Sequence, residues 1–156
     1  MKKIDWKNLS YDDFTGFVAV TAILLFVLYF GWLWYATYDY RIQMRDQMVG
    51  MYQHLPEQLP VVSEDYGVHQ RWLVFYIDGV KVLNKPQPEN VINEYKKALE
   101  KEGWATEREY IRNDKNKTYG INMRKGEFVL SVSAQENRDS INIHLIKRDW
   151  IYNKGF

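Results

Sequence analysis

At 156 residues the chain has room for one ordinary domain and an appendage. Its 21 Lys+Arg against 20 Asp+Glu leave a net charge of +1, and residues 57–156 hold 16 basic and 15 acidic side chains in a mixed order, so no electrostatic footprint for nucleic acid exists at whole-chain scale. Cysteine is absent, which excludes disulfides, thiolate metal sites and cysteine nucleophiles.

Residues 1–13 form a short N-terminal arm carrying Lys2, Lys3 and Lys7. The next stretch, 'FTGFVAVTAILLFVLYFGWLWYATY', residues 14–38, runs 25 positions without a charged side chain. About 20 apolar residues at about 1.5 Å rise each cross a hydrocarbon core of roughly 30 Å. A secretory signal has a shorter apolar region, about 7–15 residues, ending in small side chains. This run ends in Trp32, Trp34, Tyr35 and Tyr38, rings suited to a membrane–water interface. It reads as an uncleaved transmembrane helix seated in a lipid bilayer. Three lysines precede it and only Arg41 and Arg45 follow closely, a bias that puts the arm in the cytoplasm. The expectation is a single-pass protein of the cytoplasmic (inner) membrane with its C-terminal domain extracytoplasmic.

Past Tyr38 nothing breaks a helix before Gly50, and Pro56 is the first proline. The spacing predicts one helix from about Asp12 to about His54, with residues 39–55 standing outside the membrane as a stalk. Met44, Met48, Met51 and Leu55 form a stripe on it, with Arg41, Arg45, Asp46 and Gln47 turned away. The stripe either packs on this chain's own domain or offers a seam to a partner helix, methionine being an adaptable interface residue. These four are candidate partner-binding residues.

Residues 56–68, with Pro56 and Pro60, read as an extended connector. The domain proper is expected over residues 69–148. Its first strand, 'RWLVFYID' at residues 71–78, sets Trp72, Val74 and Tyr76 on one face and Leu73, Phe75 and Ile77 on the other. A helix follows in 'PQPENVINEYKKALEKEGW', started by Pro88 and Glu89 and stopped at Gly103. Its apolar face is Val91, Ile92, Tyr95, Ala98 and Leu99, and Trp104 is expected to pack back over its end. Strands are expected at Thr106–Arg112, Tyr119–Arg124, Glu127–Ala134 and Ser140–Lys147, with a hairpin about Lys125-Gly126. The fold class is therefore α+β: a transmembrane helix and stalk, then a small two-layer domain of strand, helix and antiparallel β-meander. Residues 149–156 remain as an aromatic tail, 'DWIYNKGF'.

Catalytic patterns are missing from the sequence. His54, His69 and His144 show no metal-ligand spacing and read as surface or boundary residues in the stalk end, the connector and a strand. Asp65, Asp78 and Asp139 sit beside Gly or Ser and read as turn residues. No phosphate loop, Rossmann glycine pattern or Gly-x-Ser-x-Gly occurs. The reading is no enzyme, no cofactor and no metal. The remaining candidates are aromatic anchors for a protein partner: Trp72 and Tyr76 on the first strand, and Trp150, Tyr152 and Phe156 in the tail.

The helix form Val-x-x-x-Tyr-x-x-x-Leu-x-x-x-Gly-Trp, here Val91, Tyr95, Leu99, Gly103 and Trp104, followed by strands ending in 'SINIHLIKRD', resembles a loose group of small bacterial exported or membrane-tethered domains. The resemblance covers residues 59–147 and implies an α+β fold without catalytic residues. The layout of short arm, single span, stalk and small sheet domain also resembles inner-membrane assembly subunits of pilus and secretion machines. The expected function is a non-enzymatic accessory or structural subunit of a bacterial cell-envelope assembly, binding protein partners and open to homo-oligomerisation. The alternative is a membrane-tethered sensor that binds a small ligand or lipid.

Overall fold

The computed structural model describes residues 11–56, 60–71, 74–84, 86–113 and 115–148. Residues 1–10, Trp72 and the tail residues Trp150, Tyr152 and Phe156 lie outside the described residues. The chain divides into two compact units, Met1–Ile42 and Gln43–Phe156.

The first unit contains α1, Tyr11–Ala36, and the opening turn of α2, Tyr38–Gln53. Within α1, Phe14–Ala36 is long and apolar enough to cross a membrane, with a mean hydropathy of 2.3 and none of it buried. A single helix from about Asp12 to His54 was expected, and two are present, with Thr37 between them. The interruption is slight, because Thr37 N–H still donates to Leu33 O and Arg41 N–H to Thr37 O, each at 3.0 Å. The Thr37 hydroxyl also donates to Leu33 O at 2.8 Å, the side-chain back-bonding that competes with a regular ladder. One turn on, the Arg41 guanidinium lies 3.5 Å from the centre of the Trp34 ring and donates to Trp34 O at 2.8 Å.

The second unit is a six-stranded antiparallel sheet with helices on one face. Its strands are β1 Val61–Arg71, β2 Val74–Leu83, β3 Ala105–Asn113, β4 Lys117–Lys125, β5 Phe128–Gln135 and β6 Ser140–Lys147, in the order β1-β2-β6-β5-β4-β3. Between β2 and β3 runs α3, Pro88–Lys101, which carries the chain from β2 to the far edge of the sheet. The helix and the last four strands match the expectation closely. At the end of α3, Trp104 N–H donates to Leu99 O and Gly103 N–H to Glu100 O, at 3.0 and 3.1 Å. Gly103 has φ +86°, so this is a Schellman stop with the glycine in the left-handed region. Trp104 is buried behind it, as expected. Gly103→Ala should lower domain stability by about 1 kcal/mol in thermal unfolding, since a Cβ is strained at that φ whatever space surrounds it.

Three expectations are corrected. First, the connector assigned to residues 56–68 is mostly strand: β1 starts at Val61 and pairs with β2 from Val61↔Leu83 to Arg71↔Val74. His69, Asp65 and Gly67 therefore belong to a strand, not to a loop. Second, Asp78 is not a turn residue; it sits mid-β2, opposite Gly67 on one side and His144 on the other.

Third, the stalk is not a stalk beyond Ile42. From Gln43 the chain belongs to the folded unit, where Met44, Met48, Tyr52 and Leu55 are 6%, 0%, 1% and 4% exposed. The stripe is core, and only Met51 of the four candidates stays half-buried. Geometry gives the reason. A 14-residue helix such as α3 is about 21 Å long and about 10 Å wide, while six strands at about 4.8 Å spacing make a sheet roughly 24 Å across. α3 touches β3, β4 and β5, leaving the β1–β2 side for α2 to cover. A partner helix has no free seam at Met44, Met48 or Leu55.

Candidate functional site: the open face of the sheet

Alternation along the strands sorts the side chains onto two faces. Phe75, Ile77, Lys81 and Leu83 of β2, with Ile141, Ile143 and Leu145 of β6, Leu130 and Val132 of β5 and Ile121 and Met123 of β4, form the core under the helices. Beneath α2 this core holds a polar cluster. The Lys81 ammonium is 2% exposed and pairs with Glu64 at 3.3 Å, with the Tyr52 ring beside it. The Tyr52 ring tilts against Tyr66 with centroids 4.9 Å apart. Its hydroxyl is buried and lies in the field of Glu64, without a well-formed hydrogen bond among the described residues. Burial first, then the Glu64 carboxylate, push the Tyr52 pKa well above its ordinary 10.0.

The sign of the consequence follows. A raised native pKa means that the folded unit keeps the Tyr52 proton while the unfolded chain releases its own. Stability from this group is full below pH 10.0 and falls as pH rises beyond it. Thermal midpoints measured from pH 8 upward should fall on the alkaline side, and Tyr52→Phe should flatten that fall.

The opposite face carries no helix among the described residues; it is exposed around Asp78 and Asn142, whereas Val74 and Val129 on the same face are buried, at 9% and 2% exposure. One row across it reads Gly67, Asp78, His144, Ser131, Asn122 and Arg108, each opposite the next on adjoining strands. Asp78 Oδ1 accepts from His144 Nδ1 at 2.6 Å, because an ionised carboxylate can only accept. On the other side of Asp78, His69 Nε2 stands 3.9 Å from Oδ2. The His69 ring stacks on Tyr76 at 5.0 Å and 19°, and Tyr76 touches the His144 ring at 5.7 Å. Three rings and a carboxylate thus meet across β1, β2 and β6. His69, Asp78 and His144 are 49%, 54% and 42% exposed at the side chain, so the group is open to solvent.

A second platform stands at the far side. Tyr110 of β3 lies opposite Gly120 of β4, and a Cβ added at Gly120 would come within 2.7 Å of Tyr110 Cε2. The missing side chain lets the ring settle on the sheet, a cross-strand aromatic–glycine pairing. Arg112 lies over that ring, 5.2 Å from its centre. Gly67 does the same for His69, whose Nε2 sits 2.8 Å from where a Gly67 Cβ would stand.

His144 and Ser131 face each other beside Asp78, yet no hydrogen bond joins them among the described residues, so no Ser-His-Asp relay is assembled. No group of three His, Asp or Glu suited to a metal ion occurs among the described residues. The clefts in the second unit are open ones; that of about 390 Å³ between α3 and the β3 edge is lined by Glu89, Asn93, Glu109, Ile111 and Tyr119 among others.

Of the candidate partner residues, Tyr76 alone is both described and on the open face. Sequence reading missed His69, Asp78, His144 and Tyr110. The signal was their alternation with core residues, Ile77 beside Asp78 and Leu145 beside His144, but its meaning depends on register, and β1 had no visible pattern. Neither a protein-family model, nor a curated protein, nor a solved structure matches the chain.

Proposed function

We propose that the chain is a single-pass, membrane-anchored, non-enzymatic accessory or structural subunit whose extracytoplasmic α+β domain binds protein partners in a bacterial envelope assembly. The observation that carries this reading is the apolar helix Phe14–Ala36, none of it buried, followed after six residues by the folded unit that starts at Gln43. A helix of that hydropathy with no protein cover has lipid as its natural solvent. The aromatic end, with Trp32 63% and Tyr35 81% exposed, fits a membrane–water interface. The lysine bias before the helix supports an external domain, and the resemblance of the Val91–Trp104 segment supports the envelope setting.

The test is direct. After alkaline carbonate extraction the chain should stay with the membrane pellet at full length, and a periplasm-dependent reporter fused after Phe156 should be active. Crosslinking in intact membranes followed by affinity capture should return a stoichiometric protein partner. Release into the soluble fraction, trimming near Tyr38, or a reporter active only in the cytoplasm would overturn the anchor or its orientation. Recovery of the chain alone would overturn the partner.

A further inference from the structure

We propose that the C-terminal tail, residues 149–156, turns back over the helix-free face of the sheet and covers the apolar corner formed by Val74, Tyr76, Ile146 and Val129. The inference does not rest on the partner reading above. It starts from two valines that are buried where no described helix or strand lies over them.

His69, Tyr76, Ile146, Val129 and Arg124 make one row across β1, β2, β6, β5 and β4, beside the row that holds Asp78. Val74 stands two residues before Tyr76 on β2 and shares its face. Side chains in such rows stand next to one another, so on an uncovered face their outer ends stay in water. Val80 shows this: it lies on the same face of the same strand and is 41% exposed. Val74 is 9% exposed and Val129 only 2%. Their flanks do not account for the difference. Arg124 is turned to Gly126 O and to Glu107, at 2.9 and 3.0 Å, and the His69 ring lies on Tyr76.

The end of the chain is placed to supply the cover. β6 lies between β2 and β5, and it ends at Lys147, one residue past Ile146. Arg148 N–H donates to Glu127 O at 2.7 Å, just before β5 begins. The tail therefore leaves the sheet at the corner itself. Its eight residues reach up to about 27 Å when extended, whereas β2 and β5 are two strand spacings, about 10 Å, apart. In 'DWIYNKGF' the side chains of Trp150, Ile151, Tyr152 and Phe156 are apolar, too few for a core of their own and ample for a corner of this size. Trp72 and Leu73, which join β1 to β2, could shield Val74 but start two strand spacings from Val129. On this reading Trp150, Tyr152 and Phe156 belong to the domain's own packing and not to a partner's.

The chain has no cysteine, so single cysteines report cover cleanly. Val129→Cys, Val80→Cys and Ile143→Cys are compared in lipid nanodiscs, each in the full chain and in a chain ending at Arg148. With the tail present, N-ethylmaleimide should modify Val129→Cys about tenfold more slowly than Val80→Cys, or slower still. Without it, the Val129→Cys rate should approach that of Val80→Cys. Ile143→Cys, in the core under the helices, should stay protected in both and so report an intact sheet. If Ile143→Cys becomes reactive in the shortened chain, Trp150→Ser/Tyr152→Ser in the full chain takes its place, with the same rates expected. Equal rates at Val129→Cys and Val80→Cys in the full chain overturn the proposal. So does protection of Val129→Cys that survives loss of the tail or of its two rings. Protection lost only with Trp72→Ala would assign the cover to the β1–β2 connection, and protection present with two copies per nanodisc but absent with one would assign it to a second copy.

Discussion

Gly79→Ala is expected to cost the folded unit about 3 kcal/mol, at the upper end of overpacking effects. Gly79 sits on the core face of β2, and the Tyr52 ring end lies directly on it. A Cβ there would stand 2.6 Å from Tyr52 Cζ and 2.8 Å from Cε2, with the hydroxyl oxygen nearer still. Tyr52 cannot swing away: it is 1% exposed, flanked by Tyr66 and by the Lys81–Glu64 pair. Gly120→Ala makes the comparison, because it meets Tyr110 as closely, yet that ring is half-buried on the open face and can lift off. It should cost about 1 kcal/mol or less. Thermal unfolding of the full chain reads both. The Tyr52→Ala/Gly79→Ala double variant should lose less than the sum of its singles, since the clash vanishes with the ring. A Gly79→Ala midpoint within about 2 °C of the parent would show that α2 is not held down at this point.

What the sequence disclosed follows from where the physical signal is local. α3 announces itself through one amphipathic face, a proline start and a glycine stop, so its existence and approximate limits are legible. The meander is legible because β4, β5 and β6 are covered on one side and alternate. β1 is different. Its residues 'VVSEDYGVHQR' are mostly exposed, and its strand conformation comes from pairing with β2, a long-range interaction invisible in composition. Missing β1 misplaced His69 and Asp65 in a loop and set the first strand at residues 71–78, where the structure has the end of β1 at Arg71 and the start of β2 at Val74. The open-face cluster depended on that same register. For α2 the helix and its stripe were legible, but not what they touch, because the number of strands to be covered had been counted one short.

Met48→Ala separates the two meanings of that stripe. Met48 is fully buried, and its truncation should destabilise the folded unit by about 3 kcal/mol through lost burial and the cavity left behind. Met48→Leu, which keeps the volume, should cost under about 1.5 kcal/mol. Met51→Ala, at a half-buried position, and Ile42→Ala, 36% exposed, should each cost about 1 kcal/mol or less. The order of the four midpoints is the diagnostic, and it should hold at any protein concentration, because the contacts are within one chain. A partner seam predicts otherwise: Met48→Ala would leave the unfolding midpoint of isolated chains unchanged and abolish recovery of the crosslinked partner. Deleting residues 44–55 sharpens the contrast. A spacer or a docking helix could be removed with the sheet intact, whereas a helix that covers the β1–β2 side cannot, and the near-ultraviolet circular dichroism of the domain should collapse with it.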